Sequence, residues 1–291
     1  MKVFIIGASG LIGGNCMTCM RRDPDMDVIG SHFSFATLDT EYFNVFDPQA
    51  ATFDLNAFAP DVILHTGALT HVDYCETHPD ESYRHNVGST RAVIELAEKF
   101  KSKLIFISTD YVFDGKNGPY AETDPVNPLS VYGKHKLEAE NLIREKYADH
   151  VIIRVTNVYG HEIRGKNFVS FLIREARKCE EKTLRLPVDQ FATPVNAFDV
   201  GALICAMIKD KKTGTYHLAS DEYLSRVELA EKVLSFFPGS PLRIEGVPTR
   251  DLGQAAPRPL RGGLKTAKIR NEYPGFTFST LHDFLEEHDG F

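Results

Sequence analysis

"KVFIIGASGLIGG", residues 2–14, opens the chain with a β-prone apolar run that breaks into glycine and resumes as a helical pattern. Gly7, Gly10 and Gly13 fall at the turn and at the helix opening. Glycine at the turn lets the backbone bend. Glycine at the helix start lets a pyrophosphate reach the free N–H groups and the positive end of the helix dipole. The spacing is G-x-x-G-x-x-G, slightly different from the G-x-G-x-x-G fingerprint of dinucleotide sites. Three glycines alone would also serve tight strand–helix packing; the strand before and the helix after point to nucleotide binding.

Further along, apolar strand-like runs at 2–7, 27–33, 61–67, 103–108 and 150–155 alternate with helical patterns at 10–22, 80–100 and 131–147. Continuously apolar strands joined by helices predict a parallel sheet covered on both faces, a doubly wound Rossmann-type α/β fold. After about residue 155 the rhythm changes. Helical patterns at 167–179, 196–209 and 225–236 are separated by short strand candidates at 183–187, 214–219 and 241–247, and 238–259 reads as loop-rich. The expected organisation is a dinucleotide-binding domain over 1–155 and a smaller substrate lobe over 156–291, interleaved with the sheet domain.

Bulk composition narrows the function. The chain has 291 residues, 43% hydrophobic and 25% charged, enough for a sizeable core. The net charge of −7, with no cluster of basic residues, argues against nucleic acid as a partner. The first apolar run is too short for a signal peptide, and no stretch approaches the roughly 18 apolar residues of a membrane span. Five cysteines, an odd number, fit a reducing cytoplasm. Cys16 and Cys19 have the spacing of a metal half-site but no second pair, and His71, His78 and His85 match no ligand spacing, so no metal is expected.

The second strand, which normally ends in an acid that binds the adenosine ribose, ends here in Ser31, His32 and Phe33, with no carboxylate before Asp39. Without that acid a 2′-phosphate is not repelled, so NADP(H) is weakly favoured over NAD(H). No arginine stands there to clamp it. "FNVFD" (43–47) either lines the adenine, with Asn44 offering its amide, or is an ordinary loop.

Two stretches carry the chemistry. "IFISTDYVFDG" (105–115) is a buried strand that turns polar at Thr109, Asp110 and Tyr111, the end where ligands bind in an open parallel sheet. "SVYGKHKLEAE" (130–140) sets Tyr132 and Lys136 four residues apart, on one helix face. A free tyrosine titrates near about 10, and a nearby cation stabilises the phenolate, so such a tyrosine can protonate an alkoxide forming on a carbonyl carbon. Y-x-x-x-K alone is common on ordinary helices; its weight comes from the upstream glycine loop and polar strand tip.

Together "GASGLIG" (7–13), "STDYVFDG" (108–115) and "YGKHK" (132–136) resemble the extended short-chain dehydrogenase/reductase superfamily, and within it the dTDP-4-dehydrorhamnose reductase family. The similarity takes in "HTGALTHVDYCE" (65–76), "HNVGST" (85–90) and "DQFATPV" (189–195). The resemblance implies an NAD(P)H-dependent reductase of a nucleotide-linked 4-keto-sugar, cytoplasmic and homodimeric. Thr109 would hold the carbonyl oxygen, Tyr132 would donate the proton, and Lys136 would depress the tyrosine pKa and grip the nicotinamide ribose. Cofactor contacts would come from Gly7, Ser9, Gly10, Leu11, Ile12, Gly13, Ser31, His32, Asn44, Val45, Thr66, Gly67, Ala68, Asn86, Ser108 and Lys136. Thr109, Asp110, Tyr111, Asn157, Asn167, Gln190 and Arg258 would meet the sugar nucleotide.

Tyr111 stands where the superfamily's dehydratases carry a glutamate base, which disfavours elimination. Asn157, Val195 and the serine-free "RPLRGGL" (258–264) depart from the reductase pattern in the sugar and nucleotide pocket. Epimerases keep the same triad, and a non-catalytic NADP-binding regulatory subunit of methionine adenosyltransferase is also a relative. Both alternatives stay open at the level of sequence.

Overall fold

A computed structural model describes residues 1–178 and 180–288. Seven strands form the central sheet: β1 (Lys2–Ile6), β2 (Asp27–His32), β3 (Thr40–Tyr42), β4 (Val62–His65), β5 (Lys103–Thr109), β6 (His150–Val155) and β7 (Gly214–His217). Their order is β7-β6-β5-β4-β1-β2-β3, and every neighbouring pair is parallel. Strand order reverses between β1 and β4, so a crevice opens beyond their carboxyl ends. The doubly wound expectation is borne out.

Period-two alternation explains why the strands read as continuously apolar. Val3, Ile5, Leu64, Ile105, Ile107 and Ile153 enter one buried cluster with α1 (Leu11–Arg21) and the helix Ala197–Lys209. Phe4, Ile6, Ile63, Leu104, Phe106 and Ile152 enter another, against the helices Ser89–Phe100 and Val131–Lys146. Both faces are covered, and all seven residues of β5 are buried.

The chain after residue 155 serves both layers. The helix Ala197–Lys209 and β7 complete the main sheet. A third cluster, including Tyr159, Leu172, Ile173, Leu229, Val233 and Phe284, lies with the parallel pair Lys182–Pro187 and Leu242–Val247. Some predicted elements differ in detail. The helix expected over 80–100 is interrupted by a π-turn at Arg84–Gly88. The strand expected over 214–219 ends at His217, and the helix expected over 167–179 is Phe168–Ala176, position 179 lying outside the described residues. β3, only three residues long, was not foreseen.

Candidate active site

A cleft of about 740 Å³ runs along the carboxyl ends of the strands, and the glycine loop forms its floor. Gly7 has φ +88°, the left-handed region that favours glycine. A Cβ at Gly13 would collide with the Gly7 carbonyl and with Thr66 Oγ1, so this glycine lets α1 close onto the loop. Thr66 Oγ1 donates to the Ile6 and Gly7 carbonyls at 2.9 and 3.1 Å, pinning the same turn. Gly10 differs: a Cβ there would meet only the Gly7 carbonyl, at 3.3 Å, and no side chain caps the helix that begins after it. The first-turn amides of α1 are thus left facing an open cradle suited to a pyrophosphate.

The proton-transfer group sits beside this floor. Ser130 caps the helix Val131–Lys146 by accepting from Gly133 N at 3.2 Å. A Cβ on Gly133 would collide with the Tyr111 carbonyl, so glycine at this position lets the helix press Tyr132 against the turn after β5. Thr109 and Tyr132 are both 8% exposed and line the same cleft; the Thr109 hydroxyl donates to Asp110 Oδ1 at 3.3 Å and accepts from Tyr111 N at 3.2 Å. The Tyr111 ring meets the Tyr132 ring edge-on, 5.8 Å between centroids. Burial raises the Tyr132 pKa well above its ordinary value; the Thr109 hydroxyl opposes the rise. Tyr132 is therefore a neutral, loaded acid at neutral pH.

Lys136 lines the same cleft. Its Nζ donates to the Ile107 carbonyl at 2.7 Å and lies 3.9 Å from the Phe106 ring centroid. Tyr132 is shifted by burial, Cys75, Tyr111, Asp110 and Thr109. The Lys136 ammonium is thus held at a strand carbonyl on the cleft's β5 side. Its own pKa falls to about 7 through burial, an effect that Glu140 partly offsets.

Beneath the triad lies a buried ionic clamp. Glu140, fully buried one turn beyond Lys136, accepts from Ser108 Oγ at 2.5 Å. Arg154 binds the same carboxylate through Nε at 2.9 Å and Nη2 at 2.7 Å, and Arg144 adds a second cation at 2.6 Å. Glu140 is held below the usual carboxylate range by these cations, Arg154 first, against the effect of burial. The clamp joins β5, β6 and the helix of Tyr132, so it fixes the strand tip that carries Thr109.

Most predicted contact residues line the cleft: Gly7, Ser9, Gly10, Leu11, Ile12, Gly13, Ser31, His32, Asn44, Val45, Thr66, Gly67, Ala68, Ser108, Thr109, Asp110, Tyr111, Tyr132, Lys136, Asn157 and Asn167. Several are already engaged. Ser31 Oγ donates to the Ile5 carbonyl, and Asn44 Oδ1 accepts from Phe46 N. Asn167 caps the helix Phe168–Ala176 through Ser170 N. Asn157 sits at φ +43°, a left-handed conformation asparagine tolerates better than most residues. Asp110 accepts from Gly263 N at 3.2 Å and interacts with Thr109 and Thr156, so its carboxylate braces the strand tip.

Three expected residues are not in the cleft wall. Asn86, in the π-turn, accepts from Leu69 N and donates to the Leu69 carbonyl, so it holds the 66–70 loop from behind. Gln190 donates to Thr249 and Gln254 instead. Arg258 pairs with Asp73 at 2.8 Å, leaving its buried Nη1 without a partner among the described residues. Thr249 and Gln254 engage Gln190, while Asp73 takes only the Nη2 edge of Arg258.

The wall also contains residues that sequence reasoning missed: His65, Thr156, Arg164, Lys166 and Arg226. His65 ends β4 and Thr156 precedes Asn157, so both were open to inference; Arg164, Lys166 and Arg226 come from distant segments. His65 Nδ1 is buried without a hydrogen-bond partner among the described residues, and burial lowers this histidine to about 3. A neutral imidazole nitrogen left unpaired in the wall fits a cleft built for a polar ligand. No group of His, Cys, Asp or Glu among the described residues is placed to hold a metal ion.

Fold and site define an extended short-chain dehydrogenase/reductase: a doubly wound sheet, a glycine cradle, and Thr109, Tyr132 and Lys136 gathered at its mouth. Residues 1–283 match the model of the RmlD substrate binding domain, and the chain belongs to that family. It is 30% identical to dTDP-4-dehydrorhamnose reductase of Escherichia coli over 94% of this chain and 92% of that protein. It is 31% identical to methionine adenosyltransferase 2 subunit beta of Bos taurus, over 83% of this chain and 74% of that protein. Among solved structures, a dTDP-4-dehydrorhamnose reductase from Bacillus anthracis in complex with NADP superimposes with a TM-score of 0.85 at 26% identity, covering 98% of this chain and 97% of that one.

Proposed function

We propose that the protein reduces the 4-keto group of a nucleotide-linked sugar, as a dTDP-4-dehydrorhamnose reductase does, and uses NADP(H) in preference to NAD(H). The observation that carries this reading is the Thr109–Tyr132 hydroxyl pair set beside the glycine cradle in one cleft. The reduced dinucleotide, when bound, supplies the hydride. The two hydroxyls converge on the carbonyl oxygen, and the Tyr132 O–H delivers the proton as negative charge develops there. Thr109 then stabilises the phenolate until solvent returns the proton. Lys136, in the same cleft wall, would hold the nicotinamide ribose.

The sheet domain (1–155) supplies the cofactor wall, and the interleaved remainder (156–291) closes the sugar side through Asn157, Asn167 and Arg226. Among the described residues no helix is long and apolar enough to cross a membrane. Cys16, Cys19, Cys75 and Cys205 are free thiols, which supports a reducing cytoplasm. The similarity to the adenosyltransferase subunit favours a second reading, an NADP-binding regulator without turnover. Oxidation of NADPH by dTDP-4-dehydrorhamnose tests the two: steady turnover supports the reductase, and tight NADPH binding with no turnover supports the regulator.

A further inference from the structure

At the ribose end of the cleft the structure shows something the sequence reading lacked. The wall after β2 is Ser31, His32, Phe33 and Ser34. Asp39, the first acid beyond β2, is not part of the wall; it is exposed and pairs with Arg21 at 3.3 Å. Opposite, the segment 161–167 crosses from the far side and contributes Glu162, Arg164, Lys166 and Asn167 to the same cleft. The Arg164 guanidinium lies 5.0 Å from the Phe35 ring centroid, which puts a cation at the end of β2.

We propose that Arg164 and Lys166 form a subsite for a phosphate monoester, the 2′-phosphate of the adenosine ribose, and so select NADPH over NADH. This rests on the cofactor reading given above and deepens it. Neither cation is paired with a carboxylate among the described residues. The one acid on the segment, Glu162, also lines the cleft, but its Oε2 is taken up by Lys166 N at 2.9 Å, Asn167 N at 3.1 Å and Asn167 Nδ2 at 3.2 Å.

The segment is also held in place before any ligand arrives. Asn15 of α1 donates to the His161 carbonyl at 2.9 Å, Arg174 donates to the Gly165 carbonyl at 3.0 Å, and Asn167 caps the next helix. Gly165, at φ +57°, makes the turn between the two cations. A phosphate monoester carries about −1.5 to −2 charges at neutral pH, and a guanidinium can meet two of its oxygens at once. Stacking on Phe35 pre-orients Arg164, so little side-chain entropy is lost on binding.

The test uses the full chain without sugar. Fluorescence titration gives Kd for NADPH and for NADH in the natural protein, Arg164→Glu and Lys166→Glu; adenosine 2′,5′-bisphosphate and adenosine 5′-monophosphate serve as competitors. The expected result is tighter NADPH binding in the natural protein. Arg164→Glu should then lose about tenfold or more for NADPH, equivalent to about 1.4 kcal/mol, with NADH nearly unchanged. Lys166→Glu should lose less, because that side chain is exposed. Only the bisphosphate should lose competitive strength in Arg164→Glu. Equal weakening for both dinucleotides, or no change for either, overturns the subsite. Failure of the natural protein to bind either dinucleotide overturns the cofactor reading and the subsite with it.

Discussion

Thr109, at the tip of β5, and Tyr132, in the first turn of the helix Val131–Lys146, line one cleft and are each only 8% exposed. Two elements distant in sequence thereby place a donor and an acid within reach of one carbonyl oxygen. Replacing Tyr132 by Phe removes the acid and keeps the ring. Turnover should fall by roughly 10²–10⁴, the usual worth of general acid catalysis, while the NADPH Kd stays within about twofold. Steady-state rates and fluorescence titration check both halves.

The three glycines of the opening loop do different work. Gly13→Ala should lower stability by about 1–3 kcal/mol, because the new methyl would collide with the Gly7 carbonyl and Thr66. Gly10→Val should leave the melting temperature less affected and weaken dinucleotide binding most, since its Cβ would point into open cradle. Thermal melts and Kd measured on both variants separate the two effects.

Glu140→Gln leaves Arg154, buried with Nε and Nη2 on that carboxylate, without its counter-charge. Breaking a buried pair from one side costs about 3–5 kcal/mol, so urea denaturation should show a loss of that order. Loss of the Ser108 bond should also loosen Thr109 and lower kcat more than it raises KM. An unchanged denaturation midpoint would contradict the clamp.

His217 is fully buried, and its Nδ1 bonds the Tyr120 carbonyl while Nε2 lies 3.4 Å from Arg154. Burial, assisted by Arg154, lowers its pKa from 6.5 to about 3. Between these values the unfolded chain binds a proton that the folded chain refuses. Stability therefore falls as pH drops through this window, by up to about 1.4 kcal/mol per pH unit for this one group. His217→Gln should flatten the acid limb of a stability–pH profile relative to the natural protein. Parallel profiles would show that His217 is already charged when folded.

Much of this was legible because local patterns and global fold agree. The apolar runs of β1 and β5 are buried on both faces, and Tyr132 and Lys136 share a face because a helix turns every 3.6 residues or so. What escaped was set by packing. β3 is too short for an alternation to register, and the π-turn at Arg84–Gly88 carries Asn86, whose bonds reach back to Leu69 across the fold. Arg164 reaches the end of β2 from more than a hundred residues away in sequence, where no local spacing could announce it. Gln190 and Arg258 were placed at the sugar by resemblance, yet Thr249, Gln254 and Asp73 hold them.

The most direct measurement is the loss of reduced-nicotinamide absorbance when the natural protein and its Tyr132→Phe variant are each given NADPH and dTDP-4-dehydrorhamnose. The account predicts steady oxidation by the natural protein, one sugar hydroxyl formed per NADPH consumed, and near-silence from the variant. Equal rates from the two proteins, or NADPH bound tightly by the natural protein and never consumed, would contradict it.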